Sequence, residues 1–269
     1  MYVTYNAGEK WSSIFTDRGK INDIAIDPNS RNIIYVATGN KIFKSADGGE
    51  NWTQSYLETL PQRTVNCLAI DNYDTNKVYA GISDGRLIRS LDGGISWKLV
   101  NKFKENIKQV LINKNNTQII YVATPNRGIF RTTNLGESWT NITVDDKRTD
   151  LKEYEGINEF KFAVFDQTKS DSLLIATRYG LLKTDNGGGS WQEINLVSVP
   201  KTTEILSIAI NPQNNQEIYY GIANALYKTR DGGRNWETKS LPTTRAAQCL
   251  LIDPQTPEIV YLGVTKIEK

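Results

Sequence analysis

Three sets of side chains in this 269-residue chain have the chemistry for acid–base, nucleophilic or ligand-binding work. The first is a carboxylate or amide lying between a hydroxyl residue and glycine: Asn6, Asp47, Asp92, Asn134, Asn186 and Asp231. The second is a series of arginines, Arg18, Arg63, Arg127, Arg178 and Arg245, with Tyr179 and Asp84 in comparable segments. The third is the pair Cys67 and Cys249. A carboxylate beside glycine could act as general acid, nucleophile or cation ligand. Three of the six positions carry Asn, however, and an amide accepts hydrogen bonds but cannot serve as acid, base or nucleophile. No Asp-x-Asp-x-Asp-Gly calcium loop occurs, so no metal and no cofactor is expected. Histidine is absent, which removes Ser-His-Asp and Cys-His catalysis and His-ligated zinc or haem. The cysteines lack the paired spacing of a zinc or redox motif; they read as two small buried thiols, with a disulfide between them as the alternative.

The elements that position these residues follow from a repeat. All six tryptophans end one motif, Ser/Thr-x-Asp/Asn-x-Gly-x-x-Trp, at Trp11, Trp52, Trp97, Trp139, Trp191 and Trp236. Ahead of the motif runs an apolar stretch stopped by Asp or Asn, such as Ile24-Ala-Ile-Asp-Pro28 or Leu250-Leu-Ile-Asp-Pro254, which reads as a short strand ending in a turn. A β-branched and aromatic run follows, such as Ile33–Thr38 or Ile119–Thr124, suited to a fully buried strand. A third strand, such as Lys41–Lys44 or Leu87–Arg89, enters the motif, and a fourth begins near its Trp. Four strands in about 42 residues is the unit of a β-propeller.

Successive tryptophans are 41, 45, 42, 52 and 45 residues apart, and the interval from Trp236 through both chain ends to Trp11 is 44. The expectation is an all-β, six-bladed β-propeller of four-stranded antiparallel blades, closed by pairing N-terminal and C-terminal strands in one blade, which removes the edge strands. Residues 1–269 would form one domain, with blades at about 21–63, 64–104, 105–156, 157–203 and 204–246, and a sixth from 247–269 plus 1–20. In each motif the Asp or Asn would accept backbone N–H bonds of its own turn, Gly would supply positive φ, and Trp would fill the wedge between blades.

The six motifs resemble the Asp-box (BNR) repeat of sialidases, two-domain xyloglucanases, sortilin-type receptors and photosystem II assembly-factor-like proteins. In those families the box lies on the blade periphery, away from the ligand, and the resemblance implies that function sits where the strand 2–3 tips and blade-to-blade loops gather. The tips here carry Asn40, Asp84, Asn126-Arg127, Arg178-Tyr179 and Asn224; the loops carry Asp17-Arg18, Arg63, Lys102–Lys104, Thr143–Gly156, Lys201 and Arg245. Arginines aimed at one rim would suit a carboxylate, sulfate or acidic protein patch through bidentate pairing. The alternative is that they are solvated loop residues neutralised by Asp17, Glu58, Asp84 and Glu204. The 52-residue interval holds a charged insertion, Asp145–Glu155, which reads either as a recognition element or as a tolerated extension.

The enzyme readings implied by the resemblance find little in the residues. Sialidases carry an Arg-Ile-Pro motif that is absent here, and xyloglucanases use paired carboxylates between two propellers, whereas no carboxylate tip matches Asp84. The reading is therefore a non-enzymatic binding or scaffold module for a protein or glycan partner, with a glycoside hydrolase or one module of a larger extracellular receptor or adhesin as alternatives. With 32 basic residues against 30 acidic ones, the chain lacks the basic excess of a nucleic-acid binder. No run of 18 apolar residues exists to span a membrane. Asn51, Asn115 and Asn141 open glycosylation acceptor patterns, which carry weight only in a eukaryotic secretory setting. The resemblance implies an extracytoplasmic location, secreted, periplasmic or on the cell surface, with the export signal outside this sequence.

Overall fold

The computed structural model describes residues 1–3, 10, 12–16, 19–143, 151, 153–197, 202–241 and 243–266. Among them the regular elements are 24 β-strands and no α-helix. Five four-stranded sheets run in chain order: β3–β6 (Ile21–Asp27, Ser30–Thr38, Lys41–Ser45, Thr53–Leu57), β7–β10 (Val65–Ile70, Val78–Ile82, Arg86–Ser90, Lys98–Lys102), β11–β14 (Gln109–Ile112, Ile120–Thr124, Gly128–Thr132, Thr140–Asn141), β15–β18 (Phe160–Phe165, Leu173–Thr177, Leu181–Thr184, Gln192–Ile194) and β19–β22 (Ser207–Asn211, Asn214–Gly221, Ala225–Thr229, Glu237–Ser240). Two hairpins stand at the chain ends, β1–β2 (Tyr2–Val3, Ser12–Ser13) and β23–β24 (Ala246–Ile252, Val260–Thr265). Every pairing described between consecutive strands is antiparallel.

Local chemistry sets these boundaries. Each first strand stops where an Asp or Asn side chain accepts the backbone N–H two residues on: Asp27 from Asn29, Asp71 from Tyr73, Asn113 from Asn115, Asp166 from Thr168, Asn211 from Gln213 and Asp253 from Gln255, all at 2.8–2.9 Å. That Asx turn competes with the ladder and reverses the chain. The second strands β8, β12 and β16 are buried on both faces, which explains their continuous β-branched, aromatic and small composition. The fourth strands are solvated; all four residues of β22 are exposed.

The chain falls into two compact units, Met1–Thr124 with Thr132–Trp139, and Pro125–Arg131 with Thr140–Lys269. In the first, Tyr35, Ala37 and Ile42 of one sheet pack with Val65, Leu68, Val78 and Ala80 of the next. In the second, Leu174, Ala176 and Leu181 pack in the same way with Ile205, Ile208, Ile218 and Tyr220. Each core therefore lies between consecutive sheets.

The glycine two residues before the second-last position of each motif, Gly94 and Gly188 for example, sets that spacing. Gly188 has φ +92°, and a Cβ there would lie 2.6 Å from Cδ1 of Ile142, the residue after the preceding sheet's outer strand. Gly94, at φ +87°, would meet Ser55 Oγ at 2.6 Å. The indole N–H groups cross the same seams: Trp52 donates to Ile14 O (2.6 Å), Trp97 to Ser55 Oγ (3.2 Å), Trp191 to Ile142 O (3.0 Å) and Trp236 to Asn195 O (2.6 Å). Ile14, Ser55 and Ile142 each stand three residues after the preceding Trp position, so β1–β2 meets β3–β6 as the outer strands of a preceding sheet would.

Among the described residues, β3 and β24 show exposed apolar positions. Tyr261 of β24 is 54% exposed, while Tyr35, Tyr79, Tyr121 and Tyr219, in the same register, are 0–5% exposed. Ile24 of β3 is 41% exposed, against 2–8% for Leu68, Val110, Ala163, Ile208 and Leu250. Of the two free cysteines, Cys67 is buried, but Cys249, expected inside, is exposed on the β23–β24 hairpin.

Replacing Gly188 by alanine combines left-handed strain with overpacking and is expected to cost about 2–4 kcal/mol in urea unfolding. The same change at Gly39, φ +51° with nothing within 4 Å, is expected to cost only about 1 kcal/mol. Equal costs at the two positions would refute the seam argument.

Candidate functional site

The motif turns are built as closed hydrogen-bond rings. Asp47 Oδ1 accepts from Asn51 N (2.9 Å) and Ser45 Oγ (2.7 Å), and its Oδ2 accepts from Asn51 Nδ2 (2.8 Å). Asp92 does the same with Ser96 and Ser90, and Asp231 with Asn235 and Thr229. In the amide versions the last bond reverses: Asn134 Nδ2 donates to Ser138 Oγ and Asn186 Nδ2 to Ser190 Oγ, both at 3.0 Å. Backbone and side-chain donation from Asn51 lowers the Asp47 carboxyl to about 2, and Asn235 does so for Asp231. Asp92 is lowered further by Ser96. These groups are spent on their own turns. Asn6 and Trp11, of the first motif, lie outside the described residues.

A further basic residue recurs just before each described motif: Lys44, Arg89, Arg131, Lys183 and Lys228. Lys44 donates to Gly93 O (2.7 Å) and Arg89 to Leu135 O (3.3 Å), both on the next motif. Lys183 pairs with the fully buried Asp166 (3.1 Å), and Lys228 with Glu217 (2.6 Å). The signal was present as a Lys/Arg preceding the Ser/Thr, one position outside the motif as read from sequence.

At the strand tips of the first unit, five side chains form one network. Arg86 Nη2 donates to Glu58 Oε2 and its Nε to Asp84 (3.0 Å). Arg63 Nε lies 3.2 Å from Asp84 and its Nη1 3.6 Å from Glu58. Tyr56 donates its hydroxyl to Glu58 (3.0 Å), and Leu60 N donates to the other oxygen (3.3 Å). Burial pushes the Glu58 carboxyl up, but the Arg86, Leu60 and Tyr56 donors outweigh it and hold it below the usual range. Burial and the Glu58 carboxylate raise Tyr56 to about 12. The structure thus brings Arg63 and Asp84 together, with Glu58 and Arg86, and their charges balance.

In the second unit, Arg127 and Arg245 are exposed and form no ion pair among the described residues, while Arg178, 63% exposed, pairs with Glu159 at 3.0 Å. Tyr179 donates to Glu193 (2.9 Å) and meets Tyr154 edge-on at 5.2 Å. Burial and Glu193 raise the Tyr179 hydroxyl to about 12. The descending limb of the long insertion is anchored: Leu151, Tyr154 and Ile157 are buried, and Tyr154 donates to Trp191 O (3.5 Å). Arg18, Asp17, Lys201 and residues 144–150 lie outside the described residues. No group of three His, Cys, Asp or Glu among the described residues is placed to hold a metal ion, and no helix there is long and apolar enough to cross a membrane.

Sheets of four antiparallel strands, each with an Asp box in its third turn, are the architecture of a BNR-type β-propeller, and comparison with known proteins agrees. Residues 85–195 match the Sortilin-Vps10 family (sortilin, neurotensin receptor 3). The xyloglucanase Xgh74A of Acetivibrio thermocellus is 25% identical over 81% of this chain and 32% of its own length. A Paenibacillus xyloglucanase is 21% identical over 82% of the chain and 26% of its own length. The chain therefore spans about a third or less of the curated relatives it matches. Among solved structures, an ancestral GH74 enzyme superposes with a TM-score of 0.75 at 24% identity, over 89% of this chain and 34% of that one. YCF48 from Cyanidioschyzon merolae does so with a TM-score of 0.56 at 13% identity over 94% of both chains, and YCF48 bound to D1 peptide with 0.50 at 16% identity over 92% and 91%.

Two measurements check the electrostatics. Glu58→Gln leaves Arg86 without its buried partner and is expected to cost about 2 kcal/mol in chemical unfolding, less than a fully buried pair because both arginines are partly solvated. The box carboxyls are lowered on folding, so their stabilisation is complete above the unfolded value of 3.8 and is lost as pH falls from there to about 2. The double variant Asp47→Asn/Asp231→Asn is expected to flatten the acid limb of a stability–pH curve over that window; an unchanged limb would refute the assignment.

Proposed function

We propose that this chain is a non-enzymatic β-propeller module whose strand tips and linking loops bind an acidic protein or glycan partner. The observation that carries the reading is the contrast at the tips: Arg127 and Arg245 are exposed and unpaired among the described residues, whereas Glu58, Asp84, Glu159 and Glu193 are each engaged by an arginine or a tyrosine. Glycoside hydrolysis needs a carboxyl raised towards neutrality to protonate the leaving group; Glu58 is shifted the other way, and Asp23, which burial raises, has its two oxygens engaged by Ile24 N and Leu68 N. Arg18, Arg178 and Tyr179 complete the proposed binding set, while Arg63 and Asp84, held in the network with Glu58 and Arg86, support the neighbouring tip. YCF48 with its D1 peptide gives a parallel for peptide binding on this fold. The second reading, a xyloglucanase-like hydrolase, is favoured by the curated relatives. On either reading we place the chain outside the cytoplasm, alone or as one module of a larger receptor or adhesin.

We further infer one six-bladed domain with the blade limits given above, closed when β24 pairs with β1. The hairpin β1–β2 already seats on β3–β6 in the manner of third and fourth strands, and β23–β24 has the register of first and second strands. Closure would cover Tyr261, Ile24 and Cys249 together. Native thiol titration with an aromatic disulfide reagent tests it. Two unreactive thiols are expected; one fast-reacting Cys249, identified by its loss in Cys249→Ser, would overturn closure. For function, wild-type protein is expected to release no reducing ends from xyloglucan and to bind a hexaglutamate peptide in a salt-sensitive way. Hydrolysis without peptide binding would favour the second reading.

A further inference from the structure

We infer that Arg127 and Arg178 form a two-point carboxylate site in the second unit, and that Glu159 is its built-in competitor. This rests on the acidic-partner reading above and assigns that partner's main contacts.

The geometry begins with the segment Gly156–Glu159, which ties two strand tips together. On one side Gly128 N donates to Asn158 O (3.0 Å), and Asn158 Nδ2 donates to Asn126 O (2.9 Å), fixing the tip that carries Arg127. On the other, Arg178 N donates to Glu159 O (3.0 Å). Since Asn158 and Glu159 are consecutive, the two tips are joined by a path of roughly 12 Å. Guanidinium groups on long side chains can converge across that distance. The segment is itself held, because Tyr154 and Ile157 beside it are buried and Tyr154 packs on Tyr179.

The chemistry follows from exposure. Arg127 is exposed and unpaired among the described residues. Arg178 holds Glu159 at 3.0 Å, with side chains 63% and 36% exposed. A solvated pair of this kind is weak and exchanges readily, so an incoming carboxylate can take the place of Glu159 without stranding a buried charge. Arg63 is in the opposite situation, because it bridges Asp84 (3.2 Å) and the 3% exposed Glu58 (3.6 Å), and releasing it would leave two enclosed carboxylates to share Arg86 alone. The ligand class is therefore a chain bearing two or more carboxylates, such as an acidic peptide, held by Arg127 and Arg178 but not by Arg63.

The test uses the whole chain and a fluorescent hexaglutamate peptide at low salt, with hexaglutamine as control. Arg127→Glu is expected to weaken binding at least tenfold, Glu159→Gln to tighten it several-fold by freeing Arg178, and Arg63→Ala to leave affinity unchanged while lowering Tm. Wild-type binding that is insensitive to both Arg127→Glu and Glu159→Gln, or that is lost in a folded Arg63→Ala, would overturn this site while leaving the acidic-partner reading standing. Absence of hexaglutamate binding by the wild type would overturn both.

Discussion

The architecture depends on the approach of one motif glycine to the outer strand of the sheet before it. At Gly188 and Gly94 the backbone comes so close to Ile142 and Ser55 that no side chain fits between. That contact fixes the distance between sheets, and other features follow from it. The indole N–H reaches a carbonyl or hydroxyl across the seam, and the strand 2 tyrosine is enclosed. The ring above the indole comes from the neighbouring strand as well, as with Phe103 on Trp139 at 5.1 Å. Tyr261, in the same register on the last described strand, is instead 54% exposed.

Close packing of this kind leaves polar groups at the seam that need partners. The chain meets the need locally, with the Asp or Asn ring inside each turn, and across the seam, with Lys44 or Arg89 donating to the next motif's backbone. Aspartate and asparagine serve the ring equally because the following side chain adapts: Asn51 and Asn235 donate to carboxylates, whereas Ser138 and Ser190 accept from amides. A position that accepts either residue type is fixed by hydrogen-bond geometry and not by acid–base chemistry.

What the sequence makes legible divides along the same line. Strands, Asx turns and motif turns depend on residues within a few positions of one another, so Ile24-Ala-Ile-Asp27 or Thr184-Asp-Asn-Gly187 can be read directly. The tips depend on residues far apart in sequence. Glu58 and Asp84 were visible as neighbours for Arg63, but Arg86, which also binds both, was not, because its contact with Glu58 spans 28 residues. The insertion was legible as extra length; that Tyr154 within it packs on Tyr179 and donates to Trp191 O depends on packing no local pattern records. That Cys249 is exposed while Cys67 at the matching register is buried likewise depends on packing between sheets, which no local pattern records.

The separation of seam from tip also decides which charges can take part in recognition. An arginine can turn to a partner only if the carboxylate it leaves behind finds water. If Arg63 turned away, Asp84 and the buried Glu58, enclosed by Tyr56 and Leu60, would be left sharing Arg86 alone, and the cost of that excess negative charge exceeds what an exposed contact returns. Glu159 would simply be hydrated. Arg63 and Arg178 thus have opposite capacities, set by the solvent exposure of the carboxylates they hold.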